Sequence, residues 1–115
     1  MSKYMQIDIR LMAVYGGGGL KGAFPGLFEF LGGNGYDRVL DKEPSLYEMV
    51  EVMIRVKNDP HVSADSKKPI VSKLGDLIKV RDLARQSILA RRLDELDRFL
   101  YRLEDLFGDL EANLI

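Results

Sequence analysis

The chain has 115 residues, of which 46% are hydrophobic and 30% are charged, and its formal net charge is -1 at pH 7. This length suits one domain with a single core, and the composition is too apolar for a disordered chain and too charged for a membrane protein. Cysteine is absent, which excludes disulfides, thiolate zinc sites and thiol nucleophiles. No apolar run approaches the ~18 residues of a membrane span. We therefore expect a cytoplasmic protein.

Residues 4–15 carry two competing patterns of apolar residues. One set alternates as in a β-strand: Met5, Ile7, Ile9, Leu11 and Ala13. The other set recurs as on one face of a helix: Tyr4, Ile7, Leu11, Met12 and Tyr15. A helix satisfies its own backbone hydrogen bonds, whereas a lone strand finds no partner in the rest of the sequence, so a helix is favoured.

Nine of the eleven glycines lie between Gly16 and Gly35, and this Gly-rich segment is the major irregular region that the sequence predicts. With the element before it, the segment makes up an N-terminal part of the domain, residues 1–35. Five apolar residues within it predict one short helical turn that pins the loop to the core: Phe24, Leu27, Phe28, Phe30 and Leu31. Pro25 suits the first position of that turn.

Two motifs in the Gly-rich segment suggest chemistry. Gly17 to Gly22 matches the G-x-G-x-x-G turn of dinucleotide-binding folds, but no strand-helix-strand unit follows it. Residues 13–23 resemble the oxyanion loop of patatin-type lipid acyl hydrolases, whose glycine amides stabilise an oxyanion. None of the six serines lies in the Gly-x-Ser-x-Gly sequence that exposes a nucleophile, so we expect a flexible or packed loop, no catalytic activity and no cofactor.

Residues 44–58 predict the clearest helix. Ser45 and Glu48 have the spacing of a capping box, in which each side chain bonds the backbone amide of the other residue. Apolar residues then repeat on one face of the helix until Pro60, which disfavours helical geometry in the residue before it.

Residues 59–71 are predicted as a polar loop. His61 lies there beside Asp59 and Asp65, a combination that suggests a metal site or an acid–base pair. A metal site requires ligands held by a rigid element, whereas these three residues lie on a proline-flanked loop. We therefore interpret His61 as a surface residue and expect no metal.

Residues 72–110 contain a long amphipathic series of apolar residues with no proline. An unbroken helix over this range is favoured, and two antiparallel helices with a break near Gln86 and Ser87 are the alternative, although no turn residue marks that break. The predicted fold is mainly α, a small helical bundle with a long C-terminal helix and a Gly-rich N-terminal loop.

Charge is segregated along the C-terminal half of the chain. Residues 66–92 hold eight basic and two acidic residues, which gives +6, and residues 93–115 hold two basic and seven acidic residues, which gives -5. Such blocks can steer a polyanion to one part of the surface, or let copies of the protein stack head to tail. Ordinary solvated helix faces are the alternative.

Three arginines, Arg81, Arg85 and Arg92, fall on the apolar side of a continuous helix. They require compensation by phosphates, by a protein interface or by internal acids such as Glu48 and Glu51. The sequence therefore predicts a set of nucleic-acid-binding residues: Lys67, Lys68, Lys73, Lys79, Arg81, Arg85, Arg91 and Arg92. Residues 48–98 contain no aromatic residue to stack on bases, so this contact would be with the nucleic-acid backbone.

Three stretches together resemble the small helical subunit of archaeal type I-A CRISPR surveillance (Cascade) complexes. They are the run from Gly32 to Leu40 with its glycines, Tyr36, Asp37 and Arg38, the run from Ser45 to Val50, and the basic helix containing Arg81-Asp82-Leu83-Ala84-Arg85. The similarity covers residues 32–102, and the stretch from Gly16 to Gly26 has no counterpart in the pattern.

The resemblance implies a non-catalytic subunit of an RNA-guided complex in antiviral defence. Copies of the protein would stack against one another and against other subunits, and would contact the backbones of guide RNA and target DNA, while base pairing supplies the sequence specificity. The alternative is a protein-only helical scaffold or adaptor that forms homo- or hetero-oligomers. Neither interpretation involves a membrane or a small-molecule substrate.

Overall fold

A computed structural model describes residue 11 and residues 13–114. Over these residues the chain forms six α-helices and no strand: α1 (Gly19–Ala23), α2 (Pro25–Gly33), α3 (Asp37–Lys42), α4 (Leu46–Asn58), α5 (Ala64–Leu89) and α6 (Leu93–Leu114). The predicted small helical bundle with a long C-terminal helix is confirmed. The choice between helix and strand for residues 4–15 falls mainly on residues outside the described ones.

The Gly-rich segment is more regular than predicted. The expected short turn is the nine-residue helix α2, with Pro25 at its first position as predicted and with Leu27 and Leu31 buried. A further helix, α1, precedes it and buries Leu20. The irregular region is therefore shorter than predicted, because residues 19–23 and 25–33 are helical and carboxylates from distant parts of the chain stabilise these helix N-termini.

Glu111, on α6, holds the N-terminus of α2. Its two carboxylate oxygens accept hydrogen bonds from the backbone amides of Gly26 (2.6 Å) and Leu27 (2.9 Å). Pro25 has no amide hydrogen, and Phe28 already donates to the Phe24 carbonyl. Every backbone amide in the first turn of α2 therefore has an acceptor. For two of them the acceptor is a side chain 84 and 85 residues away along the sequence.

Glu43 holds α1 in a similar way, because its carboxylate accepts a hydrogen bond from the Leu20 amide at 2.8 Å. Glu43 itself follows α3 and has a left-handed backbone, with φ of 41°. Next to it, the Tyr15 hydroxyl donates a hydrogen bond to the Pro44 carbonyl. Burial, with the nearby charges of Glu43 and Glu48, raises the pKa of Tyr15 to about 12.

The structure confirms the start and end of the helix predicted over residues 44–58. The Ser45 hydroxyl accepts a hydrogen bond from the Glu48 amide at 3.2 Å, and α4 ends at Asn58, two residues before Pro60. The second half of the capping box differs from the prediction. The Glu48 carboxylate accepts from the Ser45 hydroxyl at 3.3 Å instead of from the Ser45 amide.

The predicted polar loop over residues 59–71 is wrong from Ala64 onward, where α5 begins. Ser63 caps this helix by accepting a hydrogen bond from the Ser66 amide at 3.1 Å. Pro69 lies inside the helix, but only in its second turn, so it removes a single intrahelical hydrogen bond. Ser63 is thus the local sequence signal for the start of α5.

The favoured single helix over residues 72–110 is also wrong, and the helical hairpin is the observed arrangement. Arg91, in the left-handed region with φ of 56°, ends α5. The Arg92 amide donates to the Ser87 carbonyl and the Arg91 amide to the Ile88 carbonyl, which are the two bonds of a Schellman motif. Glycine or asparagine usually occupies the left-handed position, so an arginine there gave no turn signal.

The helices share one hydrophobic core. Its largest fully buried side chains are Leu20, Leu27, Leu31, Met49, Met53, Ile70, Leu77, Leu103, Phe107 and Leu110. The core extends as far as Val80 on α5 and Leu103 on α6. Residues 82–98, here called the hairpin tip, lie beyond it and bury Ala84 and Leu96 separately. None of the helices in the described part of the chain combines the length and apolarity needed to cross a lipid bilayer.

Candidate nucleic-acid interface

All eight predicted nucleic-acid-binding residues lie on α5 or in the turn that follows it. Six belong to the 26-residue helix, and Arg91 and Arg92 belong to the turn. The distance along the helix axis from Lys68 to Arg91 is about 35 Å at ~1.5 Å per residue. The structure divides the set into residues that bond within the fold and residues that face solvent.

Lys67 has a structural role. Its ammonium group donates hydrogen bonds to the Lys57 and Asp59 carbonyls, both at 2.9 Å. These carbonyls lie at the C-terminus of α4, where unpaired acceptors and the helix dipole favour a cation. Lys67 therefore ties the start of α5 to the end of α4 and is not free for a phosphate.

Arg81 is also occupied. Its guanidinium donates to the carboxylates of Glu51 on α4 and Asp82 on α5, both at 2.9 Å, and its side chain is 12% exposed. Burial lowers the pKa of Arg81, but the hydrogen bonds to Asp82 and Glu51 raise it more, and the net pKa is above the ordinary value. The predicted alternative of compensation by an internal acid such as Glu51 is thus the observed one.

Arg85 and Arg92 do not share a buried stripe with Arg81. Arg85 faces solvent on the same helix, and the turn at Arg91 places Arg92 beyond the end of α5. Both arginines are exposed. Arg92 lies 3.7 Å from Glu95, one turn further along. The stripe was predicted by projecting residues 72–110 onto one continuous helix, so it fails for Arg92 where that helix ends.

The five other cations of the set are Lys68, Lys73, Lys79, Arg85 and Arg91. Within the part of the chain that the structure describes, none of the five has a carboxylate oxygen within 4 Å. Lys73 is half-buried and the remaining four are exposed. These five residues remain available to an outside anion.

The two charge blocks lie next to each other because α5 and α6 form the hairpin. Among the described residues, Arg92 and Glu95 are the one ion pair that joins the basic block to the acidic block. The other lysines and arginines of α5 thus leave the acids of α6 unpaired across the hairpin. The molecule keeps a basic helix and an acidic helix side by side.

The loop after α4 contains a small polar cluster around Asp59. Its carboxylate accepts hydrogen bonds from the Tyr36 hydroxyl (2.8 Å) and from the His61 amide (2.9 Å). The His61 amide and the Tyr36 hydroxyl lower the pKa of Asp59 below its ordinary value. The His61 side chain is 93% exposed, as expected for a surface residue. In the described range, no three histidine, aspartate or glutamate side chains are grouped so that they could hold a metal ion.

Sequence reasoning missed a second basic surface, between α3 and α4. Arg38 and Lys42, four residues apart on α3, lie across a groove from Tyr47 and Arg55 on α4. The signal was present in the i, i+4 spacing of Arg38 and Lys42. Residues 26–65 nevertheless hold four basic and eight acidic residues, and this net charge of -4 pointed away from a basic surface.

We compared the chain with models of protein families, with curated proteins and with solved structures, and nothing matches it.

Proposed function

We propose that the chain is a non-catalytic helical subunit that contacts the backbone of a nucleic acid within a larger ribonucleoprotein. The observation that carries this proposal is a group of five cations, four on α5 and one in the turn that follows it, with no carboxylate partner among the described residues: Lys68, Lys73, Lys79, Arg85 and Arg91. Cations that no internal acid neutralises attract phosphates and release counterions from the nucleic acid.

The arrangement of these cations favours contact with the backbone over recognition of bases. They are spread along one helix and its terminal turn, with no aromatic side chain between them. Phosphate contacts of this kind fix the position of a nucleic acid and carry no sequence information. Specificity would then come from elsewhere, as in complexes where a guide RNA reads the target by base pairing.

The resemblance to the small subunit of type I-A CRISPR complexes suggests the larger assembly. In that role the protein would contact guide RNA or target DNA through α5 and would stack on copies of itself and on other subunits. The adjacent basic α5 and acidic α6 support stacking, because the basic helix of one copy complements the acidic helix of the next.

Reversing two exposed α5 charges tests the proposal. We expect Lys68→Glu with Lys79→Glu to weaken binding of a single-stranded DNA oligonucleotide, measured by fluorescence anisotropy over a range of salt. The slope of log affinity against log salt should fall by ~0.7 for each lost phosphate contact.

Arg98→Glu with Arg102→Glu is the matched control, because it makes the same change in net charge at exposed positions of α6. It should retain the wild-type slope. Equal losses in both variants would mean that total charge alone governs binding, and salt-independent binding would contradict the proposal.

A protein-only scaffold is the second candidate, favoured by the end of the hairpin tip. Leu89 is 76% exposed and Leu93 is 60% exposed, on either side of the turn. Large apolar side chains grouped on a surface mark contact sites for other proteins. A defined oligomer in light scattering that Leu89→Ser with Leu93→Ser converts to monomer, together with no affinity for nucleic acid, would support this candidate.

A further inference from the structure

The groove between α3 and α4 has the features of a ligand site. It has a volume of about 560 Å³. Pro44 and Val52, both buried, form its apolar floor, and Arg38, Lys42 and Arg55 line its sides. The groove lies on a different pair of helices from the α5 cations.

Three cations and two carboxylates line the groove, so its formal charge is positive. One carboxylate is paired with a cation outside the groove, whereas the other makes a single long hydrogen bond to a hydroxyl and keeps its charge. Glu51 accepts from the Arg81 guanidinium at 2.9 Å, and Glu48 accepts from the Ser45 hydroxyl at 3.3 Å. Arg38, Lys42 and Arg55, by contrast, have no carboxylate within 4 Å in the described portion of the chain.

Tyr47 gives the groove an aromatic side chain at a fixed position. It is half-buried and packs against the hydrophobic core, so its ring is held in place. Tyr47, Glu51 and Arg55 follow one another on successive turns of α4, which places an aromatic ring and a guanidinium on the same face of the helix. Proteins that bind unpaired bases combine a cationic groove with an aromatic side chain on which a base stacks.

We propose that this groove binds a segment of single-stranded nucleic acid, with one base stacked on Tyr47 and the adjoining phosphates on Arg38, Lys42 and Arg55. The inference rests on the proposed function and deepens it, because it specifies a single strand as the ligand. The α5 cations hold the strand by its backbone, whereas the groove needs an unpaired base. Double-stranded nucleic acid keeps its bases stacked and cannot enter in this way.

Two substitutions of Tyr47 separate stacking from charge. Tyr47→Leu removes the ring, and Tyr47→Phe keeps the ring and removes only the hydroxyl. With a labelled oligothymidine, anisotropy should show a loss of affinity of about 5- to 100-fold for Tyr47→Leu, the value of one stacked base, and almost none for Tyr47→Phe. Binding of the corresponding duplex should not change.

Two further measurements apply even if Tyr47→Leu fails to fold. An oligonucleotide that contains 2-aminopurine should change its fluorescence on binding to the wild-type protein, because the base stacks on the Tyr47 ring. Arg38→Gln with Lys42→Gln, both at exposed positions, should lower the affinity and reduce the salt slope by ~1.4.

The outcomes distinguish this inference from the proposed function. If Lys68→Glu with Lys79→Glu weakens binding while Tyr47→Leu and Arg38→Gln with Lys42→Gln do not, the groove inference is wrong and the proposed function stands. If the wild-type protein binds no oligonucleotide, both are wrong. If polyglutamate displaces the oligonucleotide from the groove at equal charge concentration, the groove binds acidic protein segments instead.

Discussion

The Gly-rich helices α1 and α2 differ from α4 and α5 in where their N-terminal hydrogen bonds come from. Ser45 and Ser63, each adjacent to its helix, cap α4 and α5. Neither α1 nor α2 has a side-chain cap of this local kind. Glu43 and Glu111 replace it, from 23 and about 85 residues away along the sequence. Helices of the first kind are specified by local sequence, whereas those of the second kind exist only in the assembled fold.

The largest effect is expected for Glu111→Ala. The substitution leaves the Gly26 and Leu27 amides without an acceptor in a buried site, and it should lower the free energy of unfolding by about 3 kcal/mol. Chemical denaturation measures the loss. Glu111→Gln keeps one amide oxygen as an acceptor and should lose about half as much. Equal stability of wild type and Glu111→Ala would show that α2 does not depend on its distant cap.

A smaller effect is expected for Gly19→Ala, which acts at the N-terminus of α1. Gly19 has φ of 63°, and a Cβ at this position would collide with the Glu43 carboxylate that caps the helix. The left-handed backbone alone costs about 1–2 kcal/mol for alanine. Thermal unfolding should show a lower Tm.

Gly108→Ala is the matched control for Gly19→Ala. Gly108 lies within α6 in open space, so the same chemical change there should raise stability by about 0.5–1 kcal/mol. If both substitutions lower the Tm equally, the position of Glu43 has no special role.

Ser45→Ala should lower the free energy of unfolding by about 1 kcal/mol, because it removes a local cap and leaves the distant contacts intact. Amide exchange should show the loss at the first turn of α4. Ser72→Ala, an exposed substitution within α5, should change stability by less than about 0.5 kcal/mol. An effect of Ser45→Ala as large as that of Glu111→Ala would remove the distinction between local and distant caps.

The smallest effect is expected for Tyr36→Phe, which removes the hydrogen bond between Tyr36, at the start of α3, and Asp59, at the end of α4. The Tyr36 hydroxyl helps to lower the pKa of Asp59, so its stabilising contribution is present at neutral pH. That contribution is lost as the pH falls below about 4 through the lowered pKa. The Tm difference between wild type and variant should therefore shrink in acid, and a difference independent of pH would contradict this account.

Much of the middle of the fold could be predicted from the sequence, because its signals are local. Ser45 and Pro60 marked the ends of α4, and Pro25 marked the first residue of α2. The turn at Arg91 could not be predicted, since an arginine in the left-handed region is stabilised by the packing of the hairpin and not by its own preference. Pro69 likewise lies in a helix that the core of the fold makes favourable.

The candidate site divides in the same way. Pairing of Arg81 with an acid such as Glu51 could be anticipated, because a stripe arginine needs a partner. The role of Lys67 at the end of α4 could not, since it depends on how closely α5 follows that helix. The groove at Tyr47 could not, since it lies in a segment whose net charge is negative and its three cations come together only in the folded structure.

The distance between Glu111 and α2 also bears on the order of events during synthesis. Ribosomes make the Gly-rich helices some 85 residues before the carboxylate that completes them. The first turn of α2 is therefore translated early, but its hydrogen bonds can be completed only after Glu111 has been synthesised.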